Sequence, residues 1–401
     1  MGSKLSKGLM GAALLILAGL FTSINLTSNK MAEEFEPALQ ALVDNYLDFV
    51  TLQSVHYDRG FLFSTAKSVW FLDSDNHIEV QHEVTNWPFF ATIKSVYKGG
   101  DSNLKFGLPK DSNVLLAETR IGPGASSRTD ITVSDINLIE EDSMLSSKGV
   151  FAHFNTDYER FSGSATINSL AVNESGEEVS ASGIKLLIEG DNHDLLDATL
   201  DISVGELLGN FAEGKQVSKG IFFKAGSVME EGFVTFNYAV GMDEVSFVNE
   251  VLNISANSPV IDLAIKVNDE LARALSDVTT DEQAIFNVVV HSKPEFIIKQ
   301  FASTYSLNGD EGVFKVDGAI TLDVPPEMIP QVVQNPFVLI QFIKGALNLD
   351  ADRSLFSLGG GMMGADFTEL LTESKIDPQK NGLVNIATES GVFSINGVPM
   401  Q

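Results

Sequence analysis

FLFSTAKSVWF, residues Phe61–Phe71, is the stretch of sequence that decides the fold. It is rich in β-branched and aromatic residues, as are Thr51–His56 before it and Ile78–Val84 after it. The turn-forming residues Asp58-Arg59-Gly60 and Asp73-Ser74-Asp75-Asn76 separate the three segments. This pattern predicts antiparallel strands that are joined by turns.

Segments of the same kind recur as far as about residue 248. Trp87-Pro88-Phe89-Phe90 interrupts one of them, because proline lacks the N–H that a strand ladder needs. The other predicted strands are Thr129–Ile139, Gly149–Asn155, Gly163–Val172, Ser180–Glu189, Ala198–Val204, Lys219–Lys224 and Gly232–Tyr238.

The last third of the chain mixes helices with strands. Asn268 is predicted to cap a helix that ends at Leu275, and Met328–Leu347 has a helix-like apolar pattern. The remaining predicted strands are Pro259–Val267, the pair Glu295–Phe301 and Gly312–Leu322, and the closing hairpin Leu383–Ala387 and Gly391–Ile395. We therefore predict the α+β class, predominantly antiparallel β, with an elongated, curved sheet and a few late helices.

An uncharged segment of seventeen residues, Gly8–Ile24, follows Lys4 and Lys7 near the N-terminus. A helix that spans a bilayer needs about 20 apolar residues, and about 17 is the short end of the range. The basic flank predicts that the N-terminus stays in the cytoplasm. The predicted membrane anchor is formed by Leu9, Leu14, Leu15, Ile16, Leu17, Leu20 and Phe21.

A cleaved signal peptide is the alternative to a permanent anchor. We favour the anchor, since no Ala-x-Ala site follows the apolar segment and no cysteine exists for lipid attachment. Ala32–Val50 has one apolar stripe at helical spacing and predicts an amphipathic connecting helix. The predicted organisation is an anchor at 1–30, this helix at 31–50, a β-rich region at 51–257 and an α+β region at 258–401, with one continuous domain over 51–401 as the alternative.

The composition excludes some classes of function. The chain carries 54 acidic and 26 basic residues, which gives a net charge of −28. This balance repels nucleic acid, so no nucleic-acid partner is expected. The complete absence of cysteine excludes a disulfide framework and thiolate chemistry.

Several motifs in chain order resemble the YdgA-like family of bacterial envelope proteins of unknown function. They are Tyr57–Ser64 (YDRGFLFS), His82–Phe89 (HEVTNWPF), Ser292–Phe296 with Gly312–Gly318, and the closing Gly391–Gly397. Asn86-Trp87 stands where that family tends to have His-Gly before Pro-Phe, so no role of that histidine is transferred. The resemblance implies a β-rich periplasmic protein anchored in the inner membrane, and it implies no reaction.

No motif predicts catalytic, cofactor-binding or metal-binding residues. Gly359–Gly364 matches G-x-G-x-x-G but lacks the βαβ context of a dinucleotide site, so we interpret it as a flexible loop. Asp73 and Asp350 begin segments that lack the Gly and Glu of a calcium loop. His77, Glu79 and His82 lie on one predicted strand, where we expect exposed histidines and no metal site.

The predicted strands carry many phenylalanines, which suggests a candidate apolar groove for an acyl chain. The alternative, which we favour, is that these side chains fill the core of the sheet, because aromatic residues are common in strands. The candidate groove residues are Phe61, Phe63, Phe71, Phe89, Phe90, Phe222, Phe223, Phe233 and Phe236.

Three functional hypotheses follow from the sequence. The first is a non-enzymatic envelope protein that acts by binding or scaffolding, and the second is a carrier or bridge for lipid or another apolar ligand. The third is a hydrolase. The expected partners are the inner membrane, through the N-terminal helix, and either lipid or an envelope protein. A cavity lined by Phe would favour the carrier, and an acid, histidine and hydroxyl in one cleft would favour the enzyme.

Overall fold

The computed structural model describes residues 27–41, 44, 51–71, 77–98, 107–109, 111–123, 126–140, 143–191, 196–230, 232–276, 282–307, 309–351, 382–389 and 391–399. The chain divides into two compact units, residues 1–172 (unit 1) and 173–401 (unit 2). Antiparallel strands dominate and helices are few, as the sequence predicted.

Unit 1 contains helix α1, at residues 27–41, and most of its other described residues form strands. Strands β1 to β6 pair with one another in chain order. Strand β9 then pairs with both β6 and β10. Strands β7 and β8 form a hairpin, and β8 also pairs with β10. The strands are β1 Thr51–Asp58, β2 Phe63–Phe71, β3 His77–Trp87, β4 Phe90–Lys98, β5 Asn113–Ile121, β6 Ser127–Val133, β7 Ile136–Glu140, β8 Ser143–Lys148, β9 Val150–Thr156 and β10 Arg160–Glu174.

Helix α1 packs on the inner face of strands β2, β3 and β4. Strand β2 places the small residues Ser64, Ala66 and Ser68 on that face, while Thr65 and Lys67 face solvent. Side chains alternate between the faces of a strand, so these small residues give the helix room to approach the sheet. The core of unit 1 consists of Met31, Phe35, Ala66, Val84, Ala91 and Ile93.

The strands of unit 2 also pair largely in chain order. β11 pairs with β12, β12 with β13 and β13 with β14, and β16–β17–β18–β19–β20–β21–β22 continue from β14. Short strand β15 pairs with the opposite end of β13 and with β16. The strands are β11 Glu177–Asp191, β12 Ala198–Phe211, β13 Gly214–Glu230, β14 Phe233–Gly241, β15 Glu244–Val248, β16 Asn253–Asn268, β17 Glu295–Leu307, β18 Asp310–Leu322, β19 Ile343–Ala351, β20 Gly382–Glu389, β21 Val392–Ile395 and β22 Val398–Pro399.

The helices of unit 2 cover two apolar clusters. Helix α2, Asp269–Ser276, contributes to a cluster of Leu196, Val234, Val267, Leu271 and Ala272. Helix α3, Glu282–Ser292, and helix α4, Ile329–Gln334, contribute to a second cluster of Val290, Val324, Val332 and Val338.

The cap predicted at Asn268 is confirmed. The Leu271 backbone N–H donates a 2.9 Å hydrogen bond to Asn268 Oδ1, which satisfies one of the unpaired N–H groups of the first helical turn. Asp269 and Glu270 add negative charge at the positive end of the helix dipole. The local sequence therefore specifies where α2 begins.

The helix predicted over Met328–Leu347 is wrong in its second half. Helix α4 ends at Gln334, a 3₁₀ helix covers Pro336–Phe342, and strand β19 begins at Ile343. Pro336 explains the break, because proline lacks the N–H that continues an α-helical ladder. The predicted division at residues 257 and 258 falls inside strand β16.

The predicted anchor at Gly8–Ile24 lies outside the described residues. Among the residues that the structure describes, no helix has both the length and the apolar character that crossing a membrane requires.

Candidate functional site

A cavity of about 690 Å³ lies between helix α1 and strands β4, β5 and β6 of unit 1. We call it the α1 cavity. Its volume lies within the range of about 300–1,000 Å³ that small-molecule sites occupy. Its apolar wall comes from the inner face of the helix and from the facing strands: Met31, Phe35, Leu39, Phe90, Ile93 and Ile121.

Polar groups occupy a smaller part of the cavity lining. Lys30 and Glu34 stand one helical turn apart on α1. Ser95, Thr119 and Thr129 face the cavity from the sheet, and the Thr119 and Thr129 hydroxyls lie 3.0 Å apart within a hydrogen bond. An apolar wall with a few hydroxyls, one cation and one carboxylate suits a ligand with a hydrocarbon part and a polar end.

A line of hydrogen bonds runs across three strands and ends at the cavity. Trp70 Nε1 donates to Ser68 Oγ over 2.7 Å, and Ser68 Oγ lies 2.8 Å from His82 Nε2. His82 Nδ1 lies 2.7 Å from Ser95 Oγ. The ring of Phe35 packs edge-on against His82, with 5.1 Å between the centroids. This series of hydrogen bonds, which we call the His82 line, therefore connects β2, β3 and β4 beneath α1.

The chemistry of the donors orients this line. An indole N–H can only donate, so Ser68 accepts from Trp70 and its own O–H is available to donate to His82 Nε2. We assign the Nδ1–H tautomer to His82, which then donates to Ser95 Oγ. With this tautomer Ser95 accepts from His82 and keeps its own O–H available to donate. Ser95 also lines the α1 cavity, so an acceptor atom of a ligand there is a suitable partner.

His82 is neutral at physiological pH because it is buried. Only 5 % of its surface is exposed, and burial lowers its pKa from 6.5 to about 4. The expectation of an exposed histidine was wrong, because the small residues of β2 and helix α1 enclose this position. Both ring nitrogens lie within hydrogen-bond distance of serine hydroxyls, so the ring connects β2 with β4.

A second histidine lies in a more exposed position of the sheet. His153 Nδ1 lies 2.6 Å from Asp130 Oδ1, and this bond, with help from Arg128, lowers the pKa of the Asp130 carboxyl. Ser164 stands opposite His153 in the strand register. Neighbouring positions on a strand face opposite sides, so Asp130 lies on the face opposite to Thr129 and the cavity. Within the described residues, no three His, Asp or Glu side chains are grouped to hold a metal ion.

The candidate groove residues divide between the units. In unit 1, Phe89 and Phe90 line the α1 cavity, Phe61 and Phe63 are exposed, and Phe71 is half-buried at the end of β2. These five residues do not form one continuous wall of the α1 cavity.

In unit 2, Phe236 packs against the α2 cluster, and Phe222 and Phe223 are half-buried neighbours on β13. Phe233 is exposed, and Lys266 Nζ lies 5.1 Å from its ring centroid. The groove as a whole stays a prediction, and the anchor residues and the Gly359–Gly364 loop lie outside the described residues.

Unit 2 has a smaller depression, of about 460 Å³, on the face of its sheet. Charged side chains cross it and pair with one another. Lys224 Nζ lies 3.4 Å from Asp201 Oδ2, and Lys299 Nζ lies 3.6 Å from Asp262 Oδ1. An apolar ligand would have to displace water from these charges, so the α1 cavity is the better candidate site.

Sequence reasoning missed the helical side of the site and the partners of His82. The period-two series Ser64, Ala66 and Ser68 was the available signal, because small residues on one strand face indicate the close approach of another element. The pairing of Ser68 and Ser95 with His82 depends on strand register, and no local sequence motif indicates that register.

The family described as "Bacterial protein of unknown function (DUF945)" matches residues 4–369. The chain belongs to this family. The match covers the α1 cavity, the His82 line and most of unit 2, and it confirms the expectation of a bacterial family of unknown function. Neither the curated proteins nor the solved structures gave a significant match.

Proposed function

We propose that this protein is anchored in the bacterial inner membrane and binds the acyl chain of a lipid-class ligand in the α1 cavity. The observation that carries the proposal is the cavity itself, whose apolar wall is closed on one side by Phe35 and Leu39 of the helix. A carrier was the second functional hypothesis from the sequence, and this cavity raises it above scaffolding. The proposal keeps the expectation that the protein binds and does not catalyse.

The polar lining supports a ligand with a carbonyl or carboxylate head. Ser95 offers a hydroxyl at the end of the His82 line, and Lys30 adds a positive charge on α1, one helical turn from the Glu34 carboxylate. Buried polar groups favour ligands that satisfy them, because an unpaired donor costs about 1–3 kcal/mol. The head of the ligand would lie near Ser95, and its hydrocarbon part against Ile93 and Ile121.

The proposed location in the cell envelope is supported by the amino-acid sequence. Gly8–Ile24 has the length and the basic flank of an N-in anchor, and the YdgA-like motifs resemble those of envelope proteins. The described part of the cavity-forming helix begins at residue 27, three residues after this segment ends. A site next to a membrane anchor is well placed to bind a lipid.

The test is photo-crosslinking of the full chain, purified in mild detergent, with diazirine-bearing palmitic acid, followed by peptide mapping. We expect labelled peptides from residues 27–39 and 89–95. Ala38→Phe places a bulky side chain in the cavity and should reduce this labelling several-fold. Gln40→Phe is the matched control, because Gln40 is exposed on the same helix and does not line the cavity.

Labelling confined to residues 8–24 would contradict the proposal, since it would report only the detergent micelle around the anchor. Labelling of the cavity peptides that Ala38→Phe leaves unchanged would contradict it equally. Lipid extraction from the purified chain gives a second measurement. Lipid-free chain that also fails to bind the probe would favour the scaffolding hypothesis.

A further inference from the structure

One end of unit 1 carries an unusual cluster of exposed apolar side chains. Phe63 and Phe89 are each 70 % exposed, Trp87 46 %, Leu62 43 % and Phe61 38 %. We call these five residues the aromatic tip. Soluble surfaces rarely group large apolar side chains in this way, and such patches mark interaction sites.

Two neighbouring turns build the aromatic tip. Phe61 and Leu62 lie between β1 and β2, and Phe89 lies in the two-residue turn between β3 and β4. Asn86 joins the turns, because its backbone N–H donates to Leu62 O over 2.7 Å and its side chain donates to Phe61 O over 3.2 Å. The tip is therefore one surface.

Phe89 combines a strained backbone conformation with an exposed ring. Proline fixes φ of Pro88 near about −65°, while φ of Phe89 is +68°, the combination of a type II turn. That position ordinarily takes Gly or Asn, and a bulky residue there costs of order 1–3 kcal/mol. A ring that is 70 % exposed recovers little of this cost through burial, so we look for its partner outside the chain.

Only a short stretch of chain separates the predicted anchor from the residues that hold the aromatic tip. Ser28 Oγ donates a 2.7 Å hydrogen bond to the carbonyl oxygen of Gly60, the residue before the tip begins. Ile24 ends the apolar segment, and the four residues from there to Ser28 reach at most about 14 Å. The headgroup region of a bilayer is about 5–8 Å thick on each side, so the tip lies within reach of it.

The chemistry of the tip fits a bilayer interface. Trp is enriched at the headgroup level, and Phe inserts into the boundary with the acyl chains. A chain of net charge −28 gains little from attraction to anionic lipid, so contact must come from apolar insertion.

We infer that the aromatic tip inserts into the bilayer interface and brings the mouth of the α1 cavity to the membrane. Phe89 both belongs to the tip and lines the cavity, so the cavity reaches the surface of unit 1 at the tip. An acyl chain then enters from the bilayer without crossing water. This inference rests on the proposed membrane anchoring, and it requires no particular ligand.

The test uses the two tryptophans of the full chain reconstituted in phosphatidylcholine nanodiscs. Brominated phosphatidylcholine quenches only rings that enter the bilayer, and iodide quenches only rings exposed to water. We expect bromolipid to quench the wild-type emission and iodide to quench it weakly. Trp87→Phe leaves only Trp70, which is half-buried in β2, so bromolipid quenching should be lost.

A variant with a charged residue in the aromatic tip is compared with a variant that has the same charge elsewhere on the surface. Phe63→Glu should lift Trp87 out of the interface, abolish most bromolipid quenching and restore iodide quenching, while the chain still co-elutes with nanodiscs. Val251→Glu is the control, because Val251 is 87 % exposed in unit 2 and should leave both signals unchanged.

Wild-type chain that co-elutes with nanodiscs but shows no bromolipid quenching would overturn the inference and leave the proposed function standing. Trp87 shielded from iodide yet untouched by bromolipid would overturn it in favour of a protein contact, such as a second copy of the chain. Chain that does not co-elute with nanodiscs would overturn both the anchoring and the inference.

Discussion

Ser28 Oγ donates a 2.7 Å hydrogen bond to the carbonyl oxygen of Gly60, across 32 positions of the chain. Ser28 is fully buried and also accepts a 3.2 Å bond from Arg59 Nε. A Cβ on Gly60 would lie 1.8 Å from Phe63 O, so the turn that receives this bond requires glycine. The contact holds α1 against the turn between β1 and β2.

Ser28→Ala should lower the free energy of unfolding of unit 1 by about 1 kcal/mol, because it removes both bonds of a buried hydroxyl. Urea unfolding followed by tryptophan fluorescence measures this, since Trp70 and Trp87 both lie in unit 1. Gln40→Ala, at an exposed position of the same helix, should stay within about 0.5 kcal/mol of wild type. Equal losses in the two variants would show that the Ser28 contact adds nothing specific.

His82 should make unit 1 less stable in acid. Its pKa is about 4 in the folded chain and 6.5 as a free side chain, so the unfolded chain binds more protons between these values. The stabilisation is complete above pH 6.5 and is lost as pH falls through 4, by about 3 kcal/mol in total. The same fluorescence-monitored unfolding, repeated from pH 7.5 to 4, measures the loss.

His82→Gln is the comparison for this pH dependence. Glutamine keeps polar atoms near Ser68 and Ser95 but does not titrate, so the variant should lose less stability over the same pH range. A wild type and a His82→Gln variant with parallel pH profiles would assign the acid sensitivity to other groups.

Phe89→Gly should stabilise unit 1 by about 1 kcal/mol, because glycine adopts a positive φ without the strain of a side chain. Phe89→Ala keeps a Cβ and should not give this gain. Thermal unfolding monitored by tryptophan fluorescence would show a higher midpoint for the glycine variant only. A lower midpoint for Phe89→Gly would mean that the Phe89 ring itself stabilises the turn.

Asn268→Ala should destabilise the first turn of α2 by about 1 kcal/mol through loss of the cap to Leu271. Hydrogen exchange of the amides in residues 269–276 should accelerate, and exchange in β11 should not change. Asn268→Asp keeps the capping oxygen and should exchange like wild type. Fast exchange in the aspartate variant as well would contradict a capping role.

The sequence predicted the fold class from local signals. Segments such as Phe61–Phe71 became strands because alternation and β-branched residues act locally. Asn268 was recognised as a cap for the same reason, since its partner lies three residues away. Predictions failed where the deciding partner is distant, as for His82, whose burial depends on residues of β2 and on α1.

The candidate site was harder to predict than the fold. Phe89 and Phe90 were named as lining an apolar site, but the opposite wall is formed by α1, which the sequence indicated only as a connecting helix. The register that places Ser95 beside His82 is set by the pairing of whole strands. No short segment of a single sequence indicates how whole strands pair.

The chain-order pairing of strands in unit 2 has an evolutionary consequence. Strands β12 to β14 and β16 to β20 each pair with the strand that precedes them in sequence, and β16 pairs with β14 as well as with β15. Such a sheet grows by local hairpins, whose closure costs little entropy. A gene can therefore duplicate or delete one hairpin without rethreading the rest, and relatives of different length should differ by whole pairs of strands.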